Sequence, residues 1–263
     1  MNLSNRIPTA LLVASLAAGC TTTTERGHWG AGAHWPTAAN LKSAAVRAAK
    51  DPMTWAPLAG AALLAIGDAD EEISEWAADK TPLFGDDAAN ASDTLLDITT
   101  YGYVATALLA PDRSAADKLK GLTVGAATMA INDSITQGLK SIAGRERPNG
   151  QDHKSFPSGH ASNSATRATL AARNAAHLPL PDWARASLTV GLYSVAGATA
   201  WARVEAEKHH VTDVLVGNAL GHFLATFMQE AFLESGVEPI GVNFTTIARG
   251  GTITVHVPLR GAD

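Results

Sequence analysis

The chain has 263 residues, 46% hydrophobic and 17% charged, which is enough apolar material for a buried core and excludes a disordered chain. Its net charge of −5 excludes a broad electrostatic grip on nucleic acid, so a local cluster of its few lysines and arginines carries information. One cysteine excludes an internal disulfide, and packing alone must hold the fold.

The first element in the chain is a processing signal. Arg6 gives a basic start, and Ile7–Ala18 gives an apolar run too short to span a bilayer. Leu16-Ala-Ala-Gly-Cys20 then places small residues ahead of the cysteine, which resembles a bacterial lipobox with Ala17 where that motif most often has Leu. The resemblance implies a signal peptide over 1–19, lipidation of Cys20 and a lipidated tether over 20–36. Thr21 in place of Asp implies, by the same resemblance, the outer membrane of a Gram-negative cell, with the domain facing the periplasm. Ordinary cleavage beside an incidental cysteine is the alternative.

From about Thr37, Ala, Leu and Val recur at three- and four-residue spacing. The pattern predicts helices near 38–50, 55–66, 70–79, 90–109, 114–143, 160–176, 182–203 and 209–234. Breakers separate them at Asp51-Pro52, Thr81-Pro82, Ala110-Pro111-Asp112, Arg147-Pro148-Asn149-Gly150 and Leu178 to Asp182. Beyond Gly236, Val242–Ile247 and Thr252–Val257 alternate around Arg249-Gly-Gly251, which predicts a hairpin. The expected fold class is all-α: a compact helical bundle over 37–236 with a short C-terminal β-hairpin appendage over 237–263. Ala186–Ala202, the longest uncharged stretch, contains Ser, Thr, Gly and Tyr and falls short of the ~20 apolar residues a span requires. Thr54–Gly67 and Ile98–Ala110 are shorter still. All three are expected to be buried helices of a soluble bundle, held at a membrane surface through the Cys20 lipid.

Three short stretches concentrate the chemistry. Lys140 and Arg147 stand seven residues apart, so a continuous helix would project both from one face. In Phe156-Pro-Ser-Gly-His160, the Pro and Gly shape a turn just before a predicted helix, whose unpaired N–H groups form an anion site around Ser158 and Gly159. In the third stretch, Arg203 is followed by His209 and, four residues on, by Asp213. On one helical face, Asp213 would accept a proton from Nδ1 of His209 and leave Nε2 free as a nucleophile. Each stretch has a plain structural reading: dipole partners at a helix end, a capped turn, solvated surface histidines. His210 is read as such a solvated residue, and Arg145, His153, Lys154 and Lys208 as rim or solvated charge.

Taken in order, Lys140-x6-Arg147-Pro148, Pro157-Ser-Gly-His160 and Arg203-x5-His209-x3-Asp213 resemble the three-part signature of the type-2 phosphatidic acid phosphatase superfamily. That superfamily includes bacterial acid phosphatases, lipid phosphate phosphatases and vanadium haloperoxidases. The resemblance spans Lys140 to Asp213 and implies the corresponding helical bundle. It implies that His209 attacks phosphorus, Asp213 orients it, and His160 protonates the leaving oxygen and then activates water. Lys140, Arg147 and Arg203, with the N–H groups of Ser158 and Gly159, would hold the phosphoryl oxygens. Ala202 stands where the motif usually has Ser, which removes a hydroxyl beside the arginine.

Elementary charge counting agrees with that assignment. A phosphate monoester carries about −1.5 to −2 charge near neutral pH, which three cations offset, and such a site calls for no metal and no cofactor. The expected activity is hydrolysis of phosphate monoesters, including lipid phosphates, in the bacterial envelope, and the expected partners are the substrate and the membrane surface, not nucleic acid. Three alternatives stay open: an isoprenoid diphosphate phosphatase, a vanadate-dependent haloperoxidase using the same anion pocket, and a non-enzymatic lipoprotein that binds anions or lipid head groups.

Overall fold

The computed structural model describes residues 29–80 and 83–233, together with the backbone of 241–247 and 250–256. Cys20, the signal segment 1–19, most of the tether over 20–36 and the Thr81-Pro82 breaker lie outside the described residues. The described body consists of the helices α1 (Ala38–Lys50), α2 (Pro52–Leu64), α3 (Ala69–Asp79), α4 (Ala88–Leu109), α5 (Ala115–Ala143), α6 (Gly159–Ala175), α7 (Asp182–Glu205) and α8 (Val211–Phe232).

Local chemistry sets most of the helix ends. Thr37, Asp51 and Ser114 each accept a backbone N–H from the first turn of α1, α2 and α5, and Pro52 occupies the first position of α2, where no N–H is needed. α5 stops at Gly144, whose φ of 54° lies in the left-handed region and whose N–H closes on the Lys140 carbonyl. The helical fold class is established. Gly241–Ile247 runs antiparallel to Gly250–His256 in the backbone, but the expected C-terminal β appendage is not established along with the helices.

α6 is the central element, packed against α4, α5, α7 and α8. Its residues are small, and Ala161, Ser162, Ser164, Ala168 and Ala171 are fully buried. Small side chains allow close backbone approach, and α8 exploits it. A Cβ on Gly217 would lie 2.6 Å from the Ser158 carbonyl oxygen, and one on Gly221 would lie 2.1 Å from that of Ser162. Hydroxyls and amides tie the helices across the interior: Ser162 donates to Asn132 Oδ1 (2.6 Å), Asn132 Nδ2 to Asn163 Oδ1 (2.8 Å), and Ser164 to Thr199 (3.2 Å). The larger apolar cluster holds Trp29, Tyr103, Leu170, Leu192 and Leu233 among alanines.

Two helices reverse the expected polarity. α4 buries Ser92, Thr99 and Thr106 while Tyr101 and Leu109 stay 69% and 68% exposed; on α2, Thr54 is buried and Leu63 is 69% exposed, as is Ile66 just beyond the helix at 71%. The expectation that Thr54–Gly67 and Ile98–Ala110 are buried apolar helices is therefore corrected. Apart from Tyr103, which α4 buries in the apolar cluster, close packing selects their small and hydroxylated residues for the inside and turns large apolar ones such as Tyr101, Leu109 and Leu63 outward. Among the described residues, only α8 is long and apolar enough to cross a membrane, and most of it is buried in the bundle.

Candidate active site

The three motifs meet at one end of the bundle. The glycine contacts of α8 bring its N-terminus against that of α6, and the Ser158 N–H donates to the Asp213 carbonyl oxygen at 3.0 Å. α8 begins at Val211, with His210 as an extended N-cap (φ −72°, ψ 164°), so His209 precedes the helix. The same-face argument for His209 and Asp213 is thereby corrected. His209 Nδ1 lies 2.6 Å from the Ser155 carbonyl oxygen, and Asp213 Oδ2 is 3.9 Å away, beyond hydrogen-bond range.

A carbonyl only accepts, so Nδ1 carries the proton and Nε2 keeps its lone pair. Asp213 acts one step removed. Its Oδ2 accepts from the Ser155 hydroxyl (2.5 Å) and the His210 N–H (2.9 Å), which holds the segment bearing the Ser155 carbonyl. Burial pushes the His209 imidazole well below the ordinary histidine value, and Lys140, Arg203 and Arg147 push it further against the opposing Ser155 carbonyl.

Arg145, expected at the rim, belongs to this support. It donates to Asp213 Oδ1 and Asp70 Oδ2, each at 2.8 Å, and to the Thr212 hydroxyl. Asp70 also accepts the Thr212 N–H (2.8 Å), and Ser74 accepts the Val211 N–H (3.1 Å), so α3 caps α8 from outside. Burial opposes the Asp70 charge, but hydrogen bonds from Thr212 and Arg145 outweigh it and hold its carboxyl below the usual range. His210 contributes as the cap of α8 and is not a solvated helix residue.

The cations arrive from three elements. Lys140, in the last turn of α5, is 7% exposed and donates to the Lys154 carbonyl at 2.7 Å. Because α5 ends at Ala143, Arg147 does not share a helical face with it, correcting that expectation. Arg147 sits in the following loop, with Nε on Asp152 (2.7 Å) and Nη1 3.3 Å from the Lys208 carbonyl. Arg203 on α7 donates through Nη1 to the Ser92 hydroxyl at 3.1 Å, and its buried Nε has no hydrogen-bond partner among the described residues. Burial, then the field of Arg147, pulls Lys140 down to about 8 despite Asp213 and Asp152, with Arg203 adding to the depression.

At the α6 N-terminus, Ser158 caps the helix and its own N–H is occupied by Asp213. Ser158 is therefore corrected from an anion donor to a structural joint. Gly159, the first helical residue, packs against Lys140, whose Cε would lie 3.7 Å from an added Cβ. Its N–H has no intrahelical acceptor. His160 Nε2 lies 2.7 Å from Asp93 Oδ1 on α4. Burial and then Arg203 lower its pKa, Asp93 opposes them, and Lys140 adds a smaller depression. Lys140 and Arg203 depress both histidines, so the two imidazoles lie in the field of the same cations. A neighbouring cavity of about 430 Å³ is lined by Asp79, Asp86, Glu205 and Glu207 with Lys208; that balance of charge repels a phosphate.

Sequence reasoning missed Asp70, Ser92, Asp93 and Ser155. None belongs to a recurring pattern within the three motifs, and Ser92 and Asp93 lie 111 and 67 residues from the side chains they hold.

No functionally curated protein matches the chain. Among solved structures, the fold is similar to the crystal structure of a transmembrane PAP2-type phosphatidylglycerolphosphate phosphatase from Bacillus subtilis. The TM-score is 0.53 at 23% identity, over 67% of this chain and 92% of that one. The PAP2 superfamily model matches residues 121–235, which contain all three motifs. The resemblance read from those motifs therefore holds: the superfamily model matches the segment that carries them, and the helical fold is similar to that of a PAP2-type phosphatase.

Proposed function

We propose that the protein is a phosphatase that hydrolyses phosphate monoesters through a phosphohistidine. One observation carries the reading: a buried imidazole, with Nδ1 tied to a carbonyl and Nε2 free, lies in the field of three cations, one of which has an unpartnered buried N–H. A simple anion site does not require a nucleophile fixed in one tautomer. In the first step, Nε2 of His209 forms a bond to phosphorus while the bond to the leaving oxygen breaks, and His160 gives that oxygen its proton. In the second step, water attacks the phosphohistidine, His160 takes the water proton, and His209 departs as the neutral imidazole. Lys140, Arg147, Arg203 and the Gly159 N–H neutralise the equatorial oxygens, the main catalytic requirement of phosphoryl transfer. Asp213 keeps the His209 segment in place through Ser155.

The proposed substrates are lipid phosphates. The outward apolar faces of α2 and α4 support this, since exposed apolar surface of this extent marks a contact with lipid or protein. The Bacillus subtilis neighbour acts on a phospholipid phosphate, which agrees with the proposal. The signal peptide, the lipid on Cys20, the outer-membrane address facing the periplasm, and the division into a helical domain over 37–236 with an appended hairpin over 237–263 belong to the same proposal.

The test is hydrolysis of p-nitrophenyl phosphate and phosphatidic acid by the wild type and by His209→Ala. The proposal expects wild-type turnover of both and a loss of at least about 10³-fold in the variant. Equal rates for variant and wild type would refute the nucleophile. Bromide oxidation by the vanadate-loaded protein, without phosphate release, would favour the haloperoxidase instead.

A further inference from the structure

The reactive motifs lie between Lys140 and Asp213, yet two of their side chains are held from α4, outside the segment that matches the superfamily model. Adjacent residues do this. Ser92 is fully buried and accepts from Arg203 Nη1 at 3.1 Å, while Asp93 reaches His160 Nε2 at 2.7 Å. We propose that Asp93 is the positioning residue of His160, forming a carboxylate–imidazole dyad that fixes the ring for proton transfer at Nδ1. This rests on the catalytic reading above.

The chemistry follows from which nitrogen is committed. A carboxylate accepts and does not donate, so the neutral ring carries its proton on Nε2 and presents a lone pair at Nδ1. When protonated, the ring keeps the Nε2–H···Asp93 bond and gains an Nδ1–H to pass to the leaving oxygen. After that transfer Nδ1 is bare again and is ready to take a proton from the attacking water. One anchored nitrogen thus lets the other serve as acid and then as base, without a ring flip. The charged groups facing His160 are Arg203 from α7 and Lys140 from α5, which disfavour its protonation, and Asp93 from α4, which favours it. Asp93 is the only carboxylate in that set. Without it, burial and two cations would push the ring further toward its neutral form, which has no Nδ1 proton to give. Ser92, one residue earlier, fixes the guanidinium whose field Asp93 opposes.

The experiment uses the full chain with Asp93→Asn and Asp93→Ala. Histidine ring NMR titration comes first, because it reads the dyad whether or not the protein is a phosphatase. The proposal expects the Nε2–H tautomer for His160 in the wild type and a lower pKa in both variants. An unchanged tautomer and an unchanged titration in both variants would overturn it.

Stopped-flow kinetics come second, with p-nitrophenyl phosphate, whose leaving group departs without a proton, and with glycerol 3-phosphate, whose alkoxide does not. Loss of proton donation predicts a p-nitrophenolate burst at near wild-type rate followed by slow turnover. Phosphoenzyme formation from glycerol 3-phosphate should fall about 10- to 100-fold. Equal losses on both substrates, with weakened inhibition by vanadate, would mean Asp93 merely shapes the pocket and would overturn the proposal. A wild type that forms no phosphoenzyme would refute the catalytic reading instead, with the titration still deciding the dyad.

Discussion

Gly217→Ala tests whether the packing of α8 on α6 sets the geometry of the site. The added methyl would lie 2.6 Å from the Ser158 carbonyl oxygen, 3.2 Å from Ala161 Cβ and 3.3 Å from the Ser162 nitrogen. Two of these neighbours are backbone atoms of a central helix and cannot rotate away. Restoring ordinary contact at about 3.4 Å requires α8 to retreat by about 0.8 Å. That retreat would stretch the Ser158 N–H to Asp213 carbonyl bond, now 3.0 Å, which joins the two helix starts. Overpacking of this kind costs about 1–3 kcal/mol. A misplacement near 1 Å of catalytic groups costs about 10²-fold in rate. Urea denaturation should show the stability loss, and kcat on p-nitrophenyl phosphate should fall by one to two orders of magnitude. Gly138→Ala on α5 meets nothing within 4 Å, so it should gain about 0.5–1 kcal/mol from helix propensity with unchanged kcat. Native stability and rate in Gly217→Ala would refute the reasoning.

Three further outcomes follow from the site and the surface. The depressed His209 stays neutral down to a pH below the ordinary histidine value, while Lys140 loses its charge as pH rises through about 8. With p-nitrophenyl phosphate, whose leaving group takes no proton from His160, the kcat/KM profile should therefore fall on its alkaline side near pH 8, and Lys140→Arg should move that limb upward; an unmoved limb would assign it elsewhere. Asp213→Asn removes the charge that pairs with Arg145, which is about one-third exposed. It should cost about 2 kcal/mol by thermal melting, below the ~3–5 of a fully buried pair, whereas Ser155→Ala, which keeps the carbonyl, should lose less than about tenfold in kcat. Leu63→Glu with Leu109→Glu on the outward faces should weaken co-sedimentation with phospholipid vesicles and leave p-nitrophenyl phosphate hydrolysis intact. Unchanged co-sedimentation would remove these faces from membrane contact.

The helices were legible because their ends are locally encoded, as at Thr37, Asp51-Pro52, Ser114 and Gly144. Lys140, Arg147, His160, Arg203 and His209 were legible as a set because their spacings resemble a known signature. Two assumptions about spacing failed because the helices stop short of the residues concerned: α5 ends at Ala143, and α8 starts at Val211. The partners of Arg203 and His160 were not legible, since Ser92 and Asp93 meet them only after α4 packs against α6 and α7. The outward Tyr101 and Leu63 were missed for a related reason: periodicity marks an apolar stripe but does not say that a neighbouring helix prefers the small-residue stripe beside it.

The central claim is a covalent bond between His209 and phosphorus. Rapid mixing of the wild type with phosphorus-32-labelled substrate, an alkaline quench that preserves phosphoramidates, and peptide mass spectrometry would read it directly. The account predicts a phosphoryl adduct on the ring of His209 that decays with turnover and is absent from His209→Ala. Steady hydrolysis with no adduct, or an adduct on another side chain, would contradict it.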